Sequence, residues 1–223
     1  MNKYEISQKI EKFAPLETQE KWDVSGWLVE TGKIEVNKIL FALTVTKNVY
    51  EQALKNGCDM IISHHPLFFV PLKYSQLDIY CAHTNLDRAN GGTTDTLIKE
   101  LGFKVTQSED FVRIVQLEEP ISIEELKGKL LKISPNLKYV NNKNIKTIKS
   151  IGFCAGSGSE FINETETDAF VTGDLKFHTA LDANQAVFDI GHFESEIFAP
   201  KILKNITQVE EKGVIADEKS PFI

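Results

Sequence analysis

The chain has 223 residues, 42% hydrophobic and 26% charged, with a formal net charge of −7 and a pI near 5.3. That is enough chain for one large domain or two small ones around a real core, and the acidic balance argues against a nucleic-acid partner, whose phosphates need a basic surface. Cys58, Cys81 and Cys154 stand far apart without a CxxC pair, which excludes a disulfide framework and a thiolate zinc site; the charged stretch Met1–Ile6 and the lack of a long apolar run exclude a signal peptide and a membrane span, so the cytoplasm is expected.

Ile6, Ile10 and Phe13 fall at helical spacing and Pro15 closes the stretch, so the chain opens with an amphipathic helix. Trp22 to Val29, with turn residues between two tryptophans, reads as a core-anchoring loop. Ile39 to Thr46 is a β-rich apolar run, Val49 to Lys55 is helical and ends at Asn56-Gly57, and Met60 to His65 is a buried strand stopped by Pro66. Strand, helix, strand makes a βαβ unit and a parallel sheet. Neighbouring side chains on a strand diverge, so His64 and His65 serve two different metal ions more easily than one; the same pair also reads as satisfied core histidines.

Ile79 to Ala82 is a further strand, running into His83-Thr84-Asn85-Leu86-Asp87, and Gly91-Gly92-Thr93-Thr94-Asp95 opens a helix whose amide-rich start is a cap or an anion seat. Phe111 to Leu117 is a strand, and Ser122 with Glu125 forms a capping box. Tyr139 to Lys149, rich in Asn and Lys, reads as a loop or solvated hairpin. After a strand over Ile148 to Cys154, Gly156-Ser157-Gly158-Ser159 turns into a helix; it lacks the Lys-Ser/Thr end of a P-loop. Asp168 to Asp174 and Val187 to His192 are two more strands ending in polar residues. His192 and Glu196, four apart, share one face of the helix that follows, which Pro200 limits.

All five histidines, His64, His65, His83, His178 and His192, thus lie at or just past carboxyl ends of expected strands, where open α/β sheets place ligands. Asp87, Asp174 and Glu196 share that position. Imidazoles with carboxylates suit Zn²⁺, Fe²⁺, Mn²⁺ or Co²⁺, and two ions roughly 3.5–4 Å apart are a known device for activating water.

Ser63-His64-His65-Pro66, His83-Thr84-Asn85-Leu86-Asp87, Gly91-Gly92, Gly156-Ser157-Gly158-Ser159, Thr172-Gly173-Asp174 and Gly191-His192 with Glu196 resemble, in that order, the dinuclear-metal-centre family labelled type 2 GTP cyclohydrolase I, also called NGG-interacting-factor-like proteins. The resemblance runs from Trp22-Asp23 to Glu196 and is to the short members, without the inserted domain. It implies an α/β fold of two lobes with mixed or mostly parallel sheets and a metal site at strand carboxyl ends between them. The expected lobes are 1–108 plus 190–223, which binds metal, and 109–189. His64, His65, Asp87, His192 and Glu196 are the implied ligands of two divalent ions (Zn, Fe or Mn) per chain. Glu196 is the implied bridge, with His65 and Asp87 on one ion and His64 and His192 on the other. His83 and His178 match positions near the metals, as acid–base or ligand-supporting groups. The implied activity is a metal-dependent hydrolase acting on a nucleotide or other small molecule, by purine ring opening or phosphoester hydrolysis, in a toroidal homohexamer. The alternative is a non-catalytic regulatory assembly that holds metal or nucleotide.

Overall fold

The computed structural model describes residues 1–222. Its elements run α1 (Lys3–Phe13), β1 (Gly26–Val29), β2 (Ile39–Thr44), α2 (Lys47–Lys55), β3 (Met60–His65), β4 (Asp78–Cys81), α3 (Thr84–Arg88), α4 (Thr93–Glu100), β5 (Gln107–Glu109), β6 (Val112–Ser122), α5 (Ile123–Leu130), β7 (Lys138–Val140), β8 (Thr147–Ser157), β9 (Ala169–Gly173), α6 (Phe177–Asp182), β10 (Ala186–Asp189), α7 (His192–Glu196), α8 (Ala199–Thr207) and β11 (Gly213–Ile215). Among the described residues no helix is long and apolar enough to cross a membrane. The chain divides into two compact α/β units, Met1–Gly92 with Phe198–Lys219, and Thr93–Ile197 with the residues from Ser220. The units meet in sequence at 92/93 and 197/198 because α4 lies on β8 and α7, and α7 on β8 and β9, so both helices belong to the second.

In the first unit the sheet order is β1-β4-β3-β2-β11, with β4, β3, β2 and β11 parallel and β1 antiparallel at the edge. Leu40, Ala42, Ile61 and Ile79 pack with Val49, Tyr50 and Ala53 of α2. The alternate residues Ile39, Phe41, Leu43, Ile62 and Tyr80 are buried as well. A sheet covered on both faces accounts for apolar runs without polar alternation, each such side chain contributing about 1.5–3 kcal/mol of burial. Asn2 caps α1 through the Tyr4 amide, and Ile6 and Ile10 are its buried stripe. At the start of β4, Asp78 meets Lys3 Nζ at 2.9 Å, both side chains fully buried, and also accepts from the Thr31 amide and hydroxyl. That satisfies a buried carboxylate where the strand leading to His83 begins.

The expected core-anchoring role falls to one tryptophan only. Trp27 packs edge-on between Tyr4 and Tyr80, whereas Trp22 is exposed. Pro200 does not limit α7; it stands in the first turn of α8, where its missing N–H costs nothing.

The second unit has sheet order β5-β6-β8-β9-β10-β7, in which β8, β9 and β10 are parallel and the flanking pairs antiparallel. The Ser122–Glu125 capping box opens α5. Two expectations change here. Tyr139 and Val140, at the head of the Asn- and Lys-rich stretch, belong to β7, which pairs with β10 and not with β8, so of the two readings the loop holds, over 141–146. Gly156 and Ser157 still belong to β8, and a single 3-10 turn, Ser159–Phe161, replaces the expected helix.

Candidate metal centre

In the first unit, parallel register puts Ser63 of β3 beside Cys81 of β4 and Thr44 of β2 beside His65. His64, fully buried, therefore reaches one way and His65 the other. His64 Nδ1 donates to the Ala82 carbonyl at 2.8 Å, and His65 Nδ1 shares a 2.6 Å hydrogen bond with Thr44 Oγ1. Their anchors diverge as strand geometry requires, yet the ring centroids stay 5.0 Å apart. His83, just past β4, donates from Nδ1 to Asp23 Oδ1 at 3.0 Å. The donor nitrogens of His64, His65 and His83 lie within 4.8 Å of one another, and Asp87 Oδ1 on α3 is 3.4 Å from His64 Nε2.

For His64 and His83 the Nδ1 partner is an oxygen that can only accept, so Nδ1 carries the hydrogen and Nε2 the lone pair. This is the arrangement outer partners impose on ligating imidazoles, and it makes the cluster fit a divalent cation. Burial pushes the Asp23 carboxyl up, but hydrogen bonds from His83, Thr84 and Val24 outweigh it and hold the group well below the carboxylate range. Asp23 is thus a permanent anion behind His83.

In the second unit, the carboxyl ends of β8, β9 and β10 converge on α7. His192 Nδ1 donates to Asp174 Oδ2 at 2.6 Å, and its Nε2 is 3.0 Å from Glu196 Oε2. Ser195 Oγ accepts from the Gly156 amide and donates to the His192 carbonyl, tying α7 to the end of β8. Gly156 has φ +70°, and a methyl group there would collide with Glu196 Oε1. A methyl on Gly173 would press on the His192 amide and the Gly156 carbonyl. Glycine is required because backbone and carboxylate fill that space. The turn therefore seats Glu196. Burial by itself would lower the pKa of His192; hydrogen bonds and charge from Glu196 and Asp174 reverse this and push it up to about 10. A cavity of about 240 Å³, lined by Lys138, Asp174, Asp189, His192, Glu194 and Phe222 among others, adjoins this pair.

The structure thus gathers His64, His65, His83 and Asp87 in one unit and His192 with Glu196 and Asp174 in the other. His178 lies exposed on α6 against the Phe177 ring and joins no donor group among the described residues. Sequence reasoning gave no role to Asp23, Thr44 or Ser195. The Asp23-Val24-Ser25 turn composition was a signal for the first, since Asp23 accepts from both neighbours in that turn. Nothing local marks Thr44, whose role depends on the register of two strands.

A family model described as Duf34/NIF3 (NGG1p interacting factor 3) matches residues 1–218. A Campylobacter jejuni protein named GTP cyclohydrolase 1 type 2 homolog is 31% identical over 239 residues, covering 98% of this chain and 97% of that one. Two crystal structures share the fold: a Staphylococcus aureus hypothetical protein, with TM-score 0.83 and 23% identity over 100% of this chain and 99% of the other, and a Bacillus cereus protein related to NIF3, with TM-score 0.85 and 20% identity over 100% and 99%.

Proposed function

The chain belongs to the DUF34/NIF3 family, and from that premise we propose that it is a metal-dependent hydrolase whose His64, His65, Asp87, His192 and Glu196 hold two divalent cations, Glu196 bridging. His65 and Asp87 serve one ion and His64 and His192 the other. The observation that carries this reading is the anchoring of His64 and His192 through Nδ1 on oxygen acceptors, which turns each Nε2 toward a cation. A bound pair of divalent cations supplies Lewis acidity toward water and toward an electrophilic carbon or phosphorus.

The chain's own groups do the rest. Asp23 holds the His83 ring through Nδ1, which leaves Nε2 as the proton carrier of this reading. Asp174 holds the His192 ring in place. Exposed His178 stands as a second proton carrier, and His178→Asn tests it. The substrate is a nucleotide opened at its purine ring, in keeping with the name of the Campylobacter relative, or a phosphoester. Exposed Phe69, Leu72, Phe177 and Leu181 support self-association into a homohexamer.

Elemental analysis of the purified protein, with turnover assays on GTP and a phosphoester panel and light scattering for mass, tests the proposal. Two ions per chain, turnover lost on chelation, and a mass six times 25.1 kDa are expected. Two ions with no turnover on any substrate would replace the hydrolase with a metal- or nucleotide-holding regulatory assembly.

Filling the site must also release protons. With its folded pKa raised from 6.5 to about 10, His192 is protonated in the cation-free protein at neutral pH. This pairing stabilises the cation-free fold fully below pH 6.5, and the contribution is lost as pH climbs through about 10. A ligating imidazole is neutral, so cation binding at pH 7.5 should expel about one proton from His192. Calorimetric titrations in buffers of different ionisation enthalpy measure that proton, and its absence would remove His192 from the ligand set.

A further inference from the structure

We propose that the exposed indole of Trp22, with the ring of Phe68 beside it, is the platform on which a flat aromatic heterocycle of the substrate stacks, bringing its polar edge to the imidazole group of the first unit. The inference rests on the cation-centred reading above for what then happens to the heterocycle, and adds the residue that selects a ring-bearing substrate over a phosphoester without one.

Trp22 is 59% exposed and Phe68 68%, and their centroids are 6.4 Å apart. Single exposed apolar residues mean little, but these two rings adjoin chemistry. Trp22 stands edge-on to His83 at 5.9 Å and 74°. His83 in turn lies 5.2 Å from His64 and 5.7 Å from His65, centroid to centroid. A ring laid on the indole therefore lies beside His83, the nearest imidazole of the cluster. A nitrogen heterocycle satisfies both surfaces at once, with its π face on the indole and its lone pairs and N–H groups toward the cluster.

The platform is also preorganised. On one side of Trp22, Glu20 is held by Arg88 Nη2 at 2.6 Å, and its amide donates to Thr84 Oγ1 at 2.9 Å. On the other side, Asp23 accepts from the Val24 amide, the Ser25 hydroxyl and both the amide and hydroxyl of Thr84, and Ser25 is hydrogen-bonded to Asn85. An exposed indole between two pinned flanks loses little conformational freedom on stacking, which makes it an efficient anchor.

The full-length protein, metal content as purified, is titrated with guanosine (a ring without phosphate) and with ribose 5-phosphate (phosphate without a ring), following both indole N–H resonances by NMR and affinity by calorimetry. Guanosine should shift Trp22 and leave Trp27 unmoved. Trp22→Ala should weaken guanosine about 5- to 150-fold, the range of one base-stacking interaction, and Trp22→Phe should recover part of that. Ribose 5-phosphate should move neither indole. Unchanged guanosine affinity in Trp22→Ala overturns the proposal. So does a loss of bound metal in that variant, which would mean Trp22 only props up His83, and so does a fall in oligomer mass, which would mean a second copy of the chain covers the indole. Failure of the cation reading itself shows separately, as fewer than two ions in the parent protein.

Discussion

Glu196→Gln should take the purified protein from the proposed two divalent ions per chain to less than one, with the fold intact. Glu196 is 3% exposed, and its carboxylate lies 3.0 Å from His192 Nε2. Glutamine keeps the shape and removes the charge, so the proposed bridge between two cations becomes a weak neutral donor. Loss of a partner behind a ligand costs roughly 10- to 100-fold in metal affinity, and loss of a bridging ligand should exceed that. The same substitution removes the leading cause of the raised His192 pKa, so His192 should titrate closer to 6.5 in the cation-free variant. Elemental analysis and an NMR titration of the imidazole read the two effects separately. His65→Ala and Asp87→Ala should also lose metal, since both residues stand at or beyond a strand end and not in the core. Full loading of two ions in Glu196→Gln would end the bridging assignment.

Gly156→Ala should empty the site without replacing any proposed ligand. At φ +70° an alanine pays about 1–2 kcal/mol for the left-handed backbone. Its methyl group would also lie 3.1 Å from Glu196 Cδ and 3.6 Å from His192 Nε2, after colliding with the carboxylate oxygen. The nearest atoms are all of the Glu196 and His192 side chains, so Glu196 must swing away. A stability loss of roughly 1–3 kcal/mol and a metal content well below the parent's are expected from thermal melting and elemental analysis. Gly128→Ala is the control: it lies within α5 with nothing within 4 Å of the added carbon, and should gain about 0.5–1 kcal/mol. Equal metal content in Gly156→Ala and the parent would mean that Glu196 has no fixed seat.

Much of the fold was legible because the signals are local. An apolar run with a breaker reads as a buried strand wherever it occurs, which is why Met60–His65 and the βαβ unit around it appear as expected. The capping box at Ser122 needs only four residues to declare itself. Misreadings arose where two meanings share one composition. Proline ends a helix or starts one, and the five-residue length of α7 decided that Pro200 starts α8. A glycine turn opens a helix or makes room for a neighbouring side chain, and α7 packed on β8 put Glu196 against Gly156.

By itself the amino-acid order determined which residues can bind cations and that they follow strands, because side-chain chemistry and hydrophobic periodicity are properties of short segments. Which nitrogen each imidazole presents, why Asp23 stays ionised, and why one tryptophan packs between two tyrosines while the other stands exposed were decided by tertiary structure alone. Each depends on partners as distant in sequence as Thr44 is from His65 or Asp23 from His83, and only strand register and loop anchoring bring such groups within hydrogen-bond reach.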